Sequence, residues 1–233
     1  MTISIIIPTF NEASNIQRLI SYLKNNTNPK HIREIIVIDG GSTDATVVFA
    51  KAMKVRVKVA EQKGRAAQMN EGTKMATGDI FYFLHADSFP PENFTTDILA
   101  AVEKGFESGC YRLQFDHPHK WLQLMCWFTH FNFSCFRFGD QSLFISRELF
   151  EKMGGYNSKM LLLEDQDLIC RMRKKARFKL IKRNILTSPR KYLQNGFYRL
   201  QGIYFLLYFL YSIGIPHQKL VQLYRRNISN GKI

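Results

Sequence analysis

The chain has four cysteines, Cys110, Cys126, Cys135 and Cys170, and no two of them form a CxxC pair or a metal-ligand spacing. A disulfide framework therefore has no support, and a reducing compartment is the simpler expectation. Glycine is missing where two common phosphate binders need it. No GxGxxG follows the first apolar segment, so a dinucleotide-binding reading loses its main support. Pro8–Glu12, at the same place, offers no glycine-rich phosphate loop, which counts against a nucleotidyltransferase. The N-terminus begins the strand-like SIIIP with no basic leader and no apolar signal core, so a cytoplasmic setting is expected rather than secretion. Long apolar runs are lacking as well. The apolar part of the tail, Gly202 to Ile215, falls short of the roughly 20 residues that span a bilayer.

Acid is missing from the end of the chain. Through Asp167 there are 18 Lys and Arg against 19 Asp and Glu, but the 15 Lys and Arg beyond it meet no acid at all. The formal net charge of +14 thus belongs to the C-terminal quarter, which points to an anionic partner there, nucleic acid or a membrane surface. Its aromatics cluster in apolar runs instead of interleaving with Lys and Arg along a groove, so a nucleic-acid-binding module is the weaker alternative and no nucleic-acid partner is expected.

At 233 residues, 45% of them hydrophobic, the chain can build one large domain, or one domain with an appendage. The first hundred residues alternate strand and helix patterns. Strands are expected at Ser4–Pro8, Glu34–Ile38, Val55–Ala60 and Ile80–Leu84. Ile16, Leu19, Ile20 and Leu23 share one face of the first helix, Asp44 is placed to cap the second, and Gly64 opens a small-residue third. This βαβαβαβ order predicts a parallel sheet with right-handed crossovers. Further on, strands are expected at Cys110–Phe115, Ser142–Ser146 and Phe178–Ile181. Helices are expected over His119–Phe133, Arg147–Met153, from Glu164 to Arg177, and at two places in the tail.

In a parallel sheet the strand ends gather on one edge, where ligands bind. Pro8-Thr9-Phe10-Asn11-Glu12, Asp39 and His85-Ala86-Asp87 all fall there. Asp87, delivered by a rigid buried strand, suits a hard cation carrying a phosphorylated ligand; a turn cap is its plainer reading. Asp39 can accept a hydrogen bond from a base N–H, and Gly40 with Gly41 keeps that turn clear for a flat base. Glu164-Asp165, ahead of a helix, could supply a general base, or could simply cap the helix against its dipole. Gly139-Asp140-Gln141 is a third polar knot whose default reading is a capped turn.

Pro8–Glu12, IDGGSTD at 38–44, HAD at 85–87 and Glu164-Asp165 resemble the ordered signatures of family 2 glycosyltransferases, over nearly the whole chain. GRAAQMNEG (64–72), FLHAD (83–87), GDQ (139–141), LLEDQDL (162–168) and TSPRKY (187–192) are similar to a bacterial subgroup labelled arsenosugar-biosynthesis-type. The resemblance implies a GT-A, Rossmann-like α/β fold: a mostly parallel sheet flanked by helices, with a C-terminal helical appendage. It places the glycosyltransferase domain at 1–190, with a nucleotide-binding half at 1–105 and an acceptor half at 106–190, and a basic tail at 191–233. It also implies a hexosyltransferase-like enzyme that transfers sugar from a nucleotide-diphosphate sugar to an acceptor hydroxyl, with inversion. On the donor side Asp39 would contact the base, and Thr9 and Glu12 would line the nucleoside pocket. Pro8, Gly40, Arg65, Gln68, His85, Ala86 and Arg190 would also line the donor side, Arg190 as a diphosphate contact. Asp87 would coordinate Mg²⁺ or Mn²⁺. Gly139, Asp140, Gln141 and Glu164 would face an acceptor, lipid or small molecule, and Asp165 would deprotonate its hydroxyl.

Two departures stand out. Asp39-Gly40 replaces the family's paired acids, and His85-Ala86-Asp87 replaces its DxD, leaving one acidic metal ligand. His85 is a ligand, a phosphate donor or a packed residue, with a donor-side polar role favoured. The tail segment Phe197–Ile215 reads as an interfacial anchor for the inner face of a membrane, as a helix packed on the sheet, or as a dimer contact.

Overall fold

A computed structural model describes residues 1–229; the last four residues of the expected tail, 230–233, lie outside the described residues. The N-terminal half runs β1 (Ile3–Thr9), α1 (Ala13–Asn25), β2 (Ile32–Asp39), α2 (Thr46–Ala52), β3 (Arg56–Val59), α3 (Arg65–Met75) and β4 (Ile80–Phe83). A two-residue β5 (Ser88–Phe89) and α4 (Phe94–Glu103) follow, then β6 (Ser108–Phe115), α5 (Lys120–Phe128), β7 (Leu143–Ser146) and α6 (Arg147–Lys152). The chain continues through α7 (Glu164–Arg173), β8 (Phe178–Thr187), α8 (Arg190–Asn195), α9 (Phe197–Ser212) and α10 (His217–Asn227).

All eight strands form one sheet in the order β3-β2-β1-β4-β7-β6-β8-β5. The first four are parallel, as the alternation of strand and helix requires, because a crossover helix returns the chain to the same end. β7 enters antiparallel between β4 and β6, β8 runs parallel to β6, and β5 caps the edge antiparallel to β8. β1 is buried along its whole length, and its alternating side chains feed two separate cores. Ile5 and Ile7 pack with α1, α4 and the tail helices on one face, while Ile6 packs with α3, α6 and α7 on the other. Each such isoleucine contributes roughly 1.5–3 kcal/mol on burial.

Asp44 does cap: Oδ1 accepts from Thr46 N at 3.0 Å, and Oδ2 also accepts from Ala13 N at 3.1 Å, so one carboxylate serves the starts of α1 and α2. Three expected boundaries differ. The helix foreseen over 119–133 ends at Phe128, because the buried Arg137 takes the carbonyls beyond it: Nη2 donates to Thr129 O and Phe131 O, and Nε to Phe133 O. α7 stops at Arg173, and β8 runs to Thr187 instead of ending at Ile181. The tail packs on the sheet: Leu200, Leu207, Leu220 and Tyr224 join the core of β1 and α1. Among the described residues no helix is long and apolar enough to cross a membrane.

Two glycines test this packing. A Cβ at Gly72 of α3 would collide with Ile6 Cγ2 on β1, whereas Gly202 in α9 has open space around it. Gly72→Ala is expected to lower the unfolding free energy in urea by about 1–3 kcal/mol, the usual cost of overpacking. Gly202→Ala should raise it by about 0.5–1 kcal/mol, through helix propensity and lost chain entropy.

Candidate active site

The strand ends meet as the topology demands, with Thr9 of β1 beside Asp39 of β2. Two adjoining cavities open there, of about 220 and 190 Å³, and share a wall that includes Arg65, His85, Asp140 and Lys191. The first is the more polar of the two and touches Pro8, Thr9, Glu12, Gly40, Gln68, Ala86, Asp87 and Arg190. The second contains Gly139, Glu164 and Asp165 together with many aromatic side chains. Arg65 and His85, expected on the donor side, and Asp140, expected on the acceptor side, thus line both spaces; the other expected residues that reach a cavity line one of them.

Two residues lie apart from these spaces. Asp39 is 1% exposed, and its carboxylate accepts from Thr9 Oγ1 at 3.0 Å, Gly41 N at 3.0 Å, Ser42 N at 2.7 Å and Ser42 Oγ. It organises the turn after β2. Gln141 is fully buried behind the cavities, accepting from Arg137 Nη1 at 2.8 Å and donating to Phe136 O at 2.6 Å. Gln68 lines the polar cavity, yet its amide nitrogen donates to Thr9 O and Ile38 O, both at 2.8 Å, tying β1 to β2.

Each remaining acid has a partner drawn from elsewhere in the chain. Arg190 grips Glu12 with both terminal nitrogens, at 2.7 and 3.3 Å, and its Nη2 lies 3.6 Å from Asp87 Oδ2. Arg65 Nη1 reaches Glu164 Oε1 at 3.1 Å, and His85 Nδ1 meets Asp140 Oδ1 at 3.0 Å. Asp165 accepts a hydrogen bond from the Tyr156 hydroxyl at 3.2 Å. Asn70 fixes Tyr156 by donating to its carbonyl at 2.8 Å and accepting from its N–H at 2.9 Å. Gly139 sits between His85 and Asp165: a Cβ there would clash with Asp165 Oδ2 and lie 2.8 Å from His85 Cε1.

The electrostatics sort these acids. Burial first, then the charge of Glu164, pushes the Asp165 carboxyl up to about 6, against the pull of His85, Arg65 and Tyr156. Burial and the Asp140 charge also raise Asp87, with His85 and Arg190 opposing them. Asp140 goes the other way: against desolvation, the His85 hydrogen bond and charge, with Lys191 and Arg65, hold it well below the usual range. Burial works against the Arg65 cation, but Glu164, Asp165 and Asp140 outweigh it and raise its pKa.

Among the described residues no three His, Cys, Asp or Glu side chains converge to cage an ion. The lone carboxylate of Asp87 does not make a resident metal centre. It fits a hard cation that arrives on a diphosphate, which needs one or two carboxylates beside phosphate oxygens and water. Sequence reasoning missed Lys63, Lys191 and Tyr204 of the cavity walls, and Tyr156, which bonds Asp165. Gly154-Gly155 marked a turn ahead of Tyr156, but no spacing pointed to its hydroxyl.

The glycosyl transferase family 2 model matches residues 4–155, well over half the chain. The chain belongs to glycosyl transferase family 2. Over 109 residues it is 35% identical to a Methanococcus voltae dolichyl N-acetyl-alpha-D-glucosaminyl phosphate 3-beta-D-2,3-diacetamido-2,3-dideoxy-beta-D-glucuronosyltransferase, covering 44% of this chain and 34% of that protein. Over 124 residues it is 34% identical to glycosyltransferase AglE of Haloferax volcanii, covering 50% and 41%. The matches thus span under half the length of these curated relatives. Among solved structures, S. aureus TarS 1-349 in complex with UDP superposes with a TM-score of 0.69 at 18% identity, over 81% of this chain and 60% of that one. Mannosyltransferase PcManGT from Pyrobaculum calidifontis, in complex with GDP-Man and Mn²⁺, gives 0.68 at 18%, over 88% and 61%. These likenesses define the fold as that of GT-A glycosyltransferases.

The charge arrangement makes a direct prediction. In a carboxyl-detected NMR titration Asp165 should titrate near pH 6. Glu164→Gln removes a like charge and frees Arg65, so the Asp165 midpoint should fall towards the ordinary aspartate value near 4.

Proposed function

We propose that this protein is an inverting glycosyltransferase that moves a sugar from a nucleotide-diphosphate sugar, held in the polar cavity, to a hydroxyl presented in the aromatic one. One observation carries the reading: Asp165, poised near neutrality, lies in a cavity that shares a wall with the Asp87 cavity. A carboxyl with a pKa near the working pH accepts a proton efficiently while remaining largely ionised. Asp165 takes the acceptor proton as the acceptor oxygen bonds to the anomeric carbon. The bond from that carbon to the diphosphate breaks on the opposite face, which inverts the configuration and leaves no covalent intermediate. Mg²⁺ or Mn²⁺ carried by the diphosphate would be held by Asp87 and would supply charge neutralisation on the leaving group. Arg190 and Lys191 add positive charge to the same cavity.

The solved neighbours in complex with UDP, UDP-GlcNAc or GDP-Man support a nucleotide-sugar donor. In this reading residues 1–105 carry the donor side and 106–190 the acceptor side. The tail from residue 191 roofs both through Lys191, Tyr192 and Tyr204. The five ordered motifs support placing the chain beside the arsenosugar-biosynthesis-type subgroup, although no residue of the cavities is suited to recognise arsenic in particular. Peripheral membrane contact belongs to the proposal too, supported by the exposed Phe205, Leu206 and Phe209 of α9 and Ile213 just after it.

Two substitutions separate the roles. Asp87→Asn should abolish the Mn²⁺-dependent thermal stabilisation by UDP, GDP or dTDP, whichever the wild type binds. Asp165→Asn should keep that stabilisation and lose transfer by about 10²–10⁴-fold. Full transfer by both variants would refute the assignment, and so would a wild type that none of the nucleotides stabilises.

The acid limb of the rate profile gives a further test. Because the base form of Asp165 is lost as pH falls through about 6, kcat should drop tenfold per pH unit below that point. Tyr156→Phe deletes a hydrogen bond that favours the carboxylate, so its limb should move to higher pH.

A further inference from the structure

The 190 Å³ cavity has two kinds of lining. One is polar: both amide atoms of Gln166, the hydroxyl of Tyr224 and Nε2 of His85 belong to residues of its wall, are buried and have no hydrogen-bond partner among the described residues. Gln166 and Tyr224 are each 2% exposed. Buried polar groups rarely go unpaired in a native protein, and three of them lining one cavity call for a ligand rich in donors and acceptors. The other is apolar or aromatic, from Met125, Phe128, Phe136, Phe205 and Tyr208. Phe205 lines the cavity and is also 50% exposed, so this lining reaches the surface of α9. There it meets a continuous aromatic cluster: Phe128 stands 5.3 Å from Trp127 and 5.4 Å from Phe136, and Trp127 stands 4.8 Å from Phe131. Trp127 and Phe131 are exposed as well.

From this two-part lining we infer that the acceptor is an amphiphile. Its hydroxylated, sugar-like head hydrogen-bonds Gln166 and Tyr224, and its apolar tail leaves past Phe128 and Phe205. A cavity of about 150 Å³ holds a benzene-sized group, so this one takes the first carbons of the tail and the rest lies over the exposed aromatics. A free sugar would satisfy the polar groups and leave the aromatic lining unfilled. A simple alkane would do the reverse. The inference rests on the glycosyltransferase reading for its choice of acceptor, but the binding it describes can be measured without transfer.

n-Alkyl β-D-glucosides supply the head and a tail of adjustable length. Their dissociation constants, measured calorimetrically below the critical micelle concentration, should fall by about threefold per added methylene from methyl to octyl. Phe205→Asp should flatten that dependence and leave the Mn²⁺–nucleotide stabilisation unchanged. Gln166→Leu should weaken every glucoside by a similar factor, about tenfold, whatever its tail. Affinity independent of chain length overturns the inference, and so does a chain-length dependence that Phe205→Asp leaves intact or a head contribution that Gln166→Leu leaves intact. Loss of nucleotide stabilisation in the wild type would instead strike the donor reading, a result that glucoside binding does not affect.

Discussion

Negative charge gathered in one place is the constraint on which this site rests. Glu12, Asp87, Asp140, Glu164 and Asp165 converge where the strands end, and like charges so close would drive the edge apart. Partners from remote segments close on them: Arg190 lies 178 residues beyond Glu12, Glu164 lies 99 beyond Arg65, and Asp140 lies 55 beyond His85. Each pair therefore staples a different part of the chain onto the first sheet edge. Breaking a fully buried pair costs about 3–5 kcal/mol; here the cost is smaller, because Arg65 and Arg190 each keep 32% of the side chain in solvent. The pairing gives the C-terminal segment, which has no acids of its own, a reason to fold back over the N-terminal half.

Around the charges, the backbone is held where it would not otherwise stay. Asn11, Ser142 and Leu163 adopt positive φ angles of 52°, 57° and 61°, immediately beside Glu12, Gln141 and Glu164. Such conformations cost about 1–3 kcal/mol each and persist only where their surroundings over-determine them. Arg137 supplies part of that determination. It is wholly buried, its partners are neutral, and it gathers the carbonyls of Thr129, Phe131 and Phe133 with the Gln141 amide. The chain from α5 to Gly139 thus has its course set by one side chain, and Gly139 can pass between His85 and Asp165.

The legible part of the molecule was the part governed by local pattern. Strands β1, β2 and β4 carry short apolar runs, β3 alternates charged and apolar residues at the edge, and helices separate all four, an alternation that favours a parallel sheet. The polar tips at Thr9, Asp39 and Asp87 followed from it. The mixed half was harder to read because its signals are long-range. β8 carries Lys182, Arg183 and Asn184 in its middle, all exposed, where its register against β6 shifts beside Tyr111 and Arg112. That irregularity breaks the alternation, and the strand looks finished at Ile181. The early end of α5 was hidden for a similar reason, since nothing local to 129–133 announces that Arg137 will take its carbonyls. Asp39 was legible as a strand-end acid, but its satisfaction by its own turn was not, because that depends on Ser42 and two backbone N–H groups folding around it.

Partner choice also separates the acids chemically. A carboxylate whose charged form is stabilised by a close hydrogen bond is a poor proton acceptor; Asp140, bonded to His85 and near Lys191 and Arg65, is held low for that reason. Asp165 is the more deeply buried of the two, 7% exposed against 49% of the Asp140 side chain; its short contact is a neutral hydroxyl and its sequence neighbour is another acid, so its charged form is favoured less. Asp87 stands between these cases, 3.6 Å from a guanidinium that is committed to Glu12 at 2.7 Å. The fold therefore produces carboxylates of different character from residues of identical type. It does so by distributing its partners unevenly: Arg65 to Glu164, Arg190 chiefly to Glu12, the His85 hydrogen bond to Asp140, and no ion pair to Asp165 among the described residues. The raised carboxyl of Asp165 follows from that distribution.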